Sequence, residues 1–183
     1  MNDNYWAEFY DTFRRTKPSD FAVWAEPRIT GGLVYDFGCG DAADLRYFLA
    51  NGHTIVGIDP QYMHNYTAEN YMGSHWCRPD DTVYARWFLH AVEQSVEDQL
   101  LEWTQGQLLV EARVVGDSLD DTHYRRPLNP EVFVPKLYNL GYTIHYFEVS
   151  RSFSPGFAED SPLLFRLNAT RKGVLVTSTL PHN

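Results

Sequence analysis

An α/β fold built on a mostly parallel sheet is predicted by three features of this 183-residue sequence. The first is the stretch Leu33 to Pro60, LVYDFGCGDAADLRYFLANGHTIVGIDP, which reads as strand, glycine turn, helix and second strand. The second is a pair of buried-strand signals, Thr82 onward and Gln107 to Val115, each separated from its neighbours by helical or polar segments. The third is the close succession of two more strand patterns near the end, Tyr142–Ser150 and Leu163–Arg171. Strands that alternate with helices in this way form a sheet covered on its faces, with ligands outside the strands' carboxyl ends.

The elements follow in order. Residues 4–15 fit an amphipathic helix with Tyr5, Trp6, Phe9, Tyr10 and Phe13 on one broad aromatic face. Pro18-Ser19-Asp20-Phe21-Ala22 supplies a break, an N-cap and a second short helix reaching about Glu26. Leu33-Val34-Tyr35 is a short apolar strand, and Asp36-Phe37-Gly38-Cys39-Gly40 is the turn. Asp41 is placed to cap a helix over about Ala42–Ala50, whose stripe Leu45, Phe48, Leu49 has helical spacing. Gly52 suits the left-handed position beyond it. Thr54–Ile58 is the next strand, with Asp59 at its end.

Gln61 to Asp81 is irregular, with only a weak strand signal near Tyr71–Trp76; Tyr62, Met63 and Trp76 are candidates either for core or for packing against a flat ligand. Thr82 to Val92 reads as a strand turning into a short helix, and a further helix starts at Ser95, with Glu97 and Asp98 in its first turn. His90 lies on that apolar stretch, where a histidine is either a satisfied core group or a catalyst. In Gln107–Val115, Glu111 and Arg113 share a face and need partners or a purpose. Asn129-Pro130-Glu131 opens a helix to about Leu140, which Gly141 stops. Ser152–Asp160 is a loop that can wall a pocket, and the tail after Lys172 carries no assignment.

Composition bounds the function. The net charge of −9 and pI near 5.1 argue against a nucleic-acid footprint, which leans on clustered Lys and Arg. Cys39 and Cys77 make no disulfide framework and suit a reducing, cytoplasmic setting. The N-terminal MNDNYWAEFYD has no signal-peptide pattern, and no run approaches the roughly 20 apolar residues of a membrane span. One domain over residues 1–183 is expected, with a helical cap over 1–30 and an α/β core over 33–172. No metal site is expected.

Two sites carry chemistry. Gly38-x-Gly40-x-x-Ala43 followed by Asp59 formally fits a dinucleotide fingerprint. A pyrophosphate there would rest on the helix N-terminus, yet Asp36, Asp41 and Asp44 ring that place and the turn holds no basic residue. This charge repels a diphosphate and suits a cationic ligand such as S-adenosylmethionine, with Asp59 on the ribose hydroxyls. The second site is the loop Asp117–Arg126, DSLDDTHYRR. There His123, with an ordinary pKa of about 6.5, can accept a proton. Asp117 or Asp121 can orient it, and Arg125 and Arg126 can grip a carboxylate or phosphate. A solvated loop whose charges cancel is the alternative.

On the motif Asp36-Phe37-Gly38-Cys39-Gly40 and the acid Asp59, the chain resembles the class I S-adenosylmethionine-dependent methyltransferases. Ala42 departs from it, standing where many members carry a third glycine, and the adenine-side motif is missing. The resemblance spans about residues 5–172. It implies a Rossmann-like seven-stranded mostly parallel sheet with helices on both faces and an antiparallel C-terminal hairpin. It implies S-adenosylmethionine as cofactor on Asp36, Gly38, Gly40 and Asp59, and offers a lid role for the N-terminal helix as the rival to plain packing.

The segments PSDFA, YARWFLHAV and HYRR resemble a bacterial subset associated with polysaccharide and small-molecule methylation. Its pattern implies that Ser19 and Phe21 line the cofactor pocket and that the end of the Thr82 strand faces the methyl group. Catalytic candidates are then His123, Asp117 and His90; substrate candidates are Arg113, Tyr124 and Arg125. The implied acceptor is a small molecule, for example a sugar hydroxyl. The Asn/Asp-Pro-Pro-aromatic motif of nucleic-acid amino methyltransferases is absent. A non-catalytic adenosyl-binding sensor and a nicotinamide-dependent oxidoreductase remain the rival readings.

Overall fold

The computed structural model describes residues 12, 14–60, 67–117, 125–153 and 161–171. Its elements run α1 (Asp20–Ala25), β1 (Leu33–Phe37), α2 (Ala43–Ala50), β2 (Thr54–Ile58), α3 (Ala68–Ser74), β3 (Thr82–Arg86), α4 (Gln94–Trp103), β4 (Gln107–Arg113), α5 (Pro130–Asn139), β5 (Tyr142–Ser150) and β6 (Leu164–Arg171). A single 3₁₀ turn, Glu26–Arg28, follows α1. The strands form one sheet in the order β2-β1-β3-β4-β6-β5. The first four pair in parallel, and β6 is antiparallel to both β4 and β5. The switch from β1 back to β2 and out to β3 puts the strand-order reversal beside β1, where such sheets hold ligands.

Two apolar layers hold the sheet, and strand alternation assigns residues to them. Tyr35, Phe37, Val83, Leu108, Val110 and Phe165 face α3, α4 and α5. Val34, Tyr84 and Leu109 face α1 and α2, meeting Phe21, Ala22 and Phe48. Phe21 stacks on Tyr84 with ring centroids 5.0 Å apart. Each large side chain fully buried here contributes about 1.5–3 kcal/mol.

The described residues contain six strands, not seven. The stretch Tyr71–Trp76, expected as a weak strand, lies mostly in α3, which Thr67 caps by accepting the Asn70 N–H. Ala68, Tyr71 and Met72 point inward at helical spacing, and that stripe outweighs the local strand propensity. Trp76 just beyond it is 88% exposed, so it packs neither in the core nor in a closed pocket.

The short helix expected after the Thr82 strand is also absent. The backbone instead turns at Trp87, whose φ is +56°. The following helix begins at Gln94 rather than at Ser95, and its cap, Glu93, makes no side-chain cap bond. Asn129, Pro130 and Gly141 delimit α5 as their chemistry predicts, with Gly141 at φ +84°.

Of the aromatic segment 4–15, only Thr12, Arg14 and Arg15 are described. Tyr62, Met63, most of the loop Ser152–Asp160 and everything from Lys172 on lie outside the described residues. No helix among the described residues is long and apolar enough to cross a membrane.

Candidate functional site

The carboxyl ends of β1, β2 and β3 meet at the glycine turn. Gly38 adopts φ +76°, and its N–H donates to the Ile58 carbonyl at 2.8 Å. A Cβ at Gly38 would sit 3.0 Å from the Phe88 ring, so both backbone and space require glycine. Gly40, at φ +51°, donates its N–H to Asp59 Oδ2 at 3.1 Å. That bond ties the acid at the end of β2 back to the turn. Ala42 takes the left-handed conformation (φ +57°) where a glycine is the unstrained residue. The turn is therefore bent as a third glycine would bend it, at the cost of local strain.

Asp41 does not cap α2 in the expected way: Ala42 occupies the cap position, and Asp41 Oδ1 accepts the Ala43 N–H at 3.2 Å. Its main partner is Arg15, which donates from its backbone N–H (2.7 Å) and Nη2 (2.7 Å). Burial alone would raise Asp41, but the Arg15 bonds win and hold its carboxyl below the ordinary value. Arg15 Nη1 also reaches Asp44 at 3.1 Å. Asp44 is buried and fully occupied: Ser19 donates from N–H (2.7 Å) and Oγ (2.8 Å), and Tyr84 from its hydroxyl (2.9 Å). Two of the three acids that ring the turn thus share one cation from outside the motif.

The third acid is different. Asp36 is buried at the carboxyl end of β1, and its Oδ2 has no hydrogen-bond partner. Burial, followed by the negative charge of Asp44, pushes its carboxyl well above the ordinary range; Arg15 opposes the shift, Asp59 adds to it, and Arg86 opposes it. A buried, unbonded carboxyl is costly and wants a donor, best a cationic one. Ser19, a sequence candidate for the same pocket, caps α1 and holds Asp44. Phe21, the other candidate, is fully buried between Trp24 and Tyr84.

A second group of charges begins at the next strand. Glu111 on β4 accepts Arg166 Nε at 2.8 Å and Trp87 Nε1 at 3.1 Å. Its carboxyl is raised by burial, opposed by Arg86 and Arg166. Arg113 donates to Asp117 at 2.6 Å, and Asp117 also accepts the Leu163 N–H at 2.9 Å and lies 3.4 Å from Arg151. Glu111 and Arg113 therefore do not pair with each other. Asp117, proposed from sequence to orient His123, spends its carboxylate on these partners.

His90 is buried, and its Nδ1 accepts the Arg113 backbone N–H at 3.2 Å. Arg126 is bound to Glu97 at 2.5 Å and to the Leu89 carbonyl, which places it in the α4 scaffold. Arg125 is half-buried beside it, while His123 and Tyr124 lie outside the described residues. Among the described residues no group of three or more His, Cys, Asp or Glu could hold a metal ion. A hollow of about 430 Å³ lies at the opposite edge of the sheet, beside Leu33, Thr54 and Asp81. It is remote from both charged groups.

Sequence reasoning found the turn and its acids but missed Arg15 and Arg166. Arg15 is 26 residues from Asp41 and carries no local signal. Arg166 becomes relevant only through the antiparallel register that sets it opposite Glu111.

No family model matches this chain, and no curated protein matches it in sequence. Solved structures do. An S-adenosylmethionine-dependent methyltransferase from Archaeoglobus fulgidus superposes with a TM-score of 0.62 at 19% identity, over 91% of this chain and 100% of that one. The glycopeptide N-methyltransferase MtfA, in complex with S-adenosylmethionine, gives 0.60 at 12% identity over 88% and 90%. The [4+2]-cyclase SpnF gives 0.59 at 15% identity over 85% and 80%. At these identities the likeness defines the fold. The chain has the Rossmann-like fold of S-adenosylmethionine-dependent methyltransferases, with six described strands and antiparallel strands at its C-terminal end.

Proposed function

We propose that this protein binds S-adenosylmethionine and transfers its methyl group to a small-molecule acceptor. The observation that carries the reading is Asp36, a buried carboxyl with an unbonded oxygen at the glycine turn of a methyltransferase fold. The ligand it calls for carries a cation. S-adenosylmethionine has an ammonium for Asp36 and ribose hydroxyls for Asp59, and the close approach at Gly38 leaves room for no larger residue. A dinucleotide offers phosphates instead, and Asp36 and Asp59 oppose them.

When bound, the cofactor supplies a methyl group on a sulfonium. The protein's task is then to align the acceptor and exclude water. The ends of β3 and β4 hold the acceptor side, with Trp87 and Phe88 as its apolar part. His123 is proposed to take the proton of an acceptor hydroxyl. The bacterial polysaccharide and small-molecule subset supplies the proposed acceptor class, a hydroxyl such as that of a sugar, in a cytoplasmic enzyme with no nucleic-acid or membrane partner.

The fold also serves other chemistry, since one structural neighbour is a [4+2]-cyclase. Calorimetry separates the readings. S-adenosylmethionine and S-adenosylhomocysteine are expected to bind at micromolar affinity, NADH is not, and Asp59→Ala should lose the adenosyl ligands. Adenosyl binding with no methyl transferred to any of a varied acceptor panel would favour a sensor. NADH binding in place of the adenosyl ligands would make the protein an oxidoreductase.

A further inference from the structure

Building on the methyltransferase reading, we propose that the acceptor is a carboxylate-bearing small molecule and that Arg86 binds its carboxylate.

Arg86 ends β3, directly opposite Glu111 on β4, which is directly opposite Arg166 on β6. Asp36 pairs with Tyr84, so the row of Arg86, Glu111 and Arg166 runs out from the level of Gly38. Glu111 is the nearest anion to Arg86, but Trp87 and Arg166 already donate to its two oxygens. Arg86 Nε lies 3.5 Å from Glu111 Oε1 and is buried without a hydrogen bond. Every other arginine on these strands has hydrogen-bond acceptors. Arg113 has Asp117, Arg166 has Glu111 and the Phe153 carbonyl, and Arg171 has three carbonyls around α4 together with that of Leu140. Among the described residues of these strands, Arg86 alone has no hydrogen-bond acceptor, and Glu111 is shared as its counter-charge.

Trp87 shows that this arrangement is held under strain. A bulky residue at φ +56° is a costly conformation, and such strain persists where the surroundings enforce it. Here Glu111 enforces it twice: its carbonyl accepts the Trp87 N–H at 2.7 Å and its carboxylate accepts the indole N–H. The result sets the indole against the guanidinium of Arg86, 4.6 Å from the ring centroid, with Arg113 at 5.5 Å. Stacking fixes the plane of the Arg86 fork and leaves a flat apolar surface next to it.

The charge balance selects a monoanion. Among the described residues of these strands Arg86 is the cation without a hydrogen bond, and its planar fork matches the two oxygens of a carboxylate. A dianionic phosphate needs more donors than one fork and is opposed by Asp36 and Glu111 nearby. Asp36 and Arg86 thus divide the site, with cation affinity on β1 and anion affinity on β3.

The test uses the whole protein saturated with S-adenosylhomocysteine and follows small probes by ligand-observed NMR. Benzoate and phenylacetate are compared with benzamide, benzyl alcohol and phenyl phosphate. Wild type is expected to hold the carboxylates about tenfold more tightly than the amide and alcohol, and Arg86→Gln should lose that preference. Arg86→Lys, which keeps the charge and removes the fork, should fall between. If the variants fail to fold, the contrast among probes on wild type still decides. Equal binding of benzoate and benzamide, tighter binding of phenyl phosphate, or no retention of either carboxylate overturns the proposal.

Titrating S-adenosylhomocysteine itself separates the two levels. Failure to bind wild type would sink the methyltransferase reading. Binding to wild type but not to Arg86→Gln would give Arg86 to the cofactor and overturn only the acceptor assignment.

Discussion

Two buried aspartates at opposite ends of the central strands make a useful contrast. Asp81, at the amino end of β3, accepts hydrogen bonds from Leu33 N–H (2.9 Å), Arg78 N–H (2.8 Å) and the Tyr35 hydroxyl (3.3 Å). Asp36, at the carboxyl end of β1, is equally buried and has an oxygen with no partner. The first carboxylate closes a loop onto the sheet; the second leaves binding energy unspent. A buried carboxylate that the chain satisfies serves the scaffold, and one left with a free oxygen at a sheet's carboxyl end is suited to a ligand.

The contrast breaks most visibly through Asp81. Asp81→Ala would strand two backbone donors and a buried hydroxyl, and urea unfolding should show a loss of about 3 kcal/mol. Asp36→Asn should do the reverse, causing no loss of stability while weakening S-adenosylhomocysteine binding by about tenfold or more in calorimetry.

The pH dependence sharpens the point. Burial raises the Asp36 pKa in the folded state, so above the ordinary carboxyl value of 3.8 the unfolded chain ionises first. Wild-type stability is therefore drained as pH rises from there towards the folded-state pKa. The stability of Asp36→Asn relative to wild type should grow over the same interval, and a constant difference would refute the assignment.

Smaller effects test the frame around the site. Ala42→Gly should stabilise the protein by about 1 kcal/mol, because it removes a side chain from a left-handed backbone. Differential scanning would show the rise in midpoint. Asp98 pairs with Lys136 but is 47% exposed, so Asp98→Asn should change stability by less than about 0.5 kcal/mol.

How much of this was legible in the sequence follows the range of the interactions. The strand, glycine turn, helix and strand from Leu33 to Ile58 were readable because spacing and backbone chemistry are local. So were Ser19, Asn129 and Gly141 as helix boundaries, and the strands from Gln107 and Tyr142. The helix α3 was not, since its stripe of Ala68, Tyr71 and Met72 is short and embedded in residues of mixed propensity.

At the site, the identity of the turn was visible and its charge state was not. Asp36, Asp41 and Asp44 read alike as acids, yet Arg15 pairs with two of them. Glu111 and Arg113 were marked by their shared face, but their partners, Arg166 and Asp117, depend on register and on the loop after β4. Arg86 is a polar residue on an apolar strand. What singles it out is that its neighbours are already engaged, a property of the assembled sheet.

The position of β6 has a consequence for how the molecule is made. It is the last of the six described strands, yet it lies between β4 and β5. On a ribosome, β4 emerges with one side unpaired and stays so until residue 171 has been added. For that interval the apolar run of Leu108, Leu109 and Val110 borders an open ladder, the kind of edge that invites pairing with other chains. The polar Gln107, Glu111 and Arg113 flank the run, and the last two also form the charged floor beside Trp87.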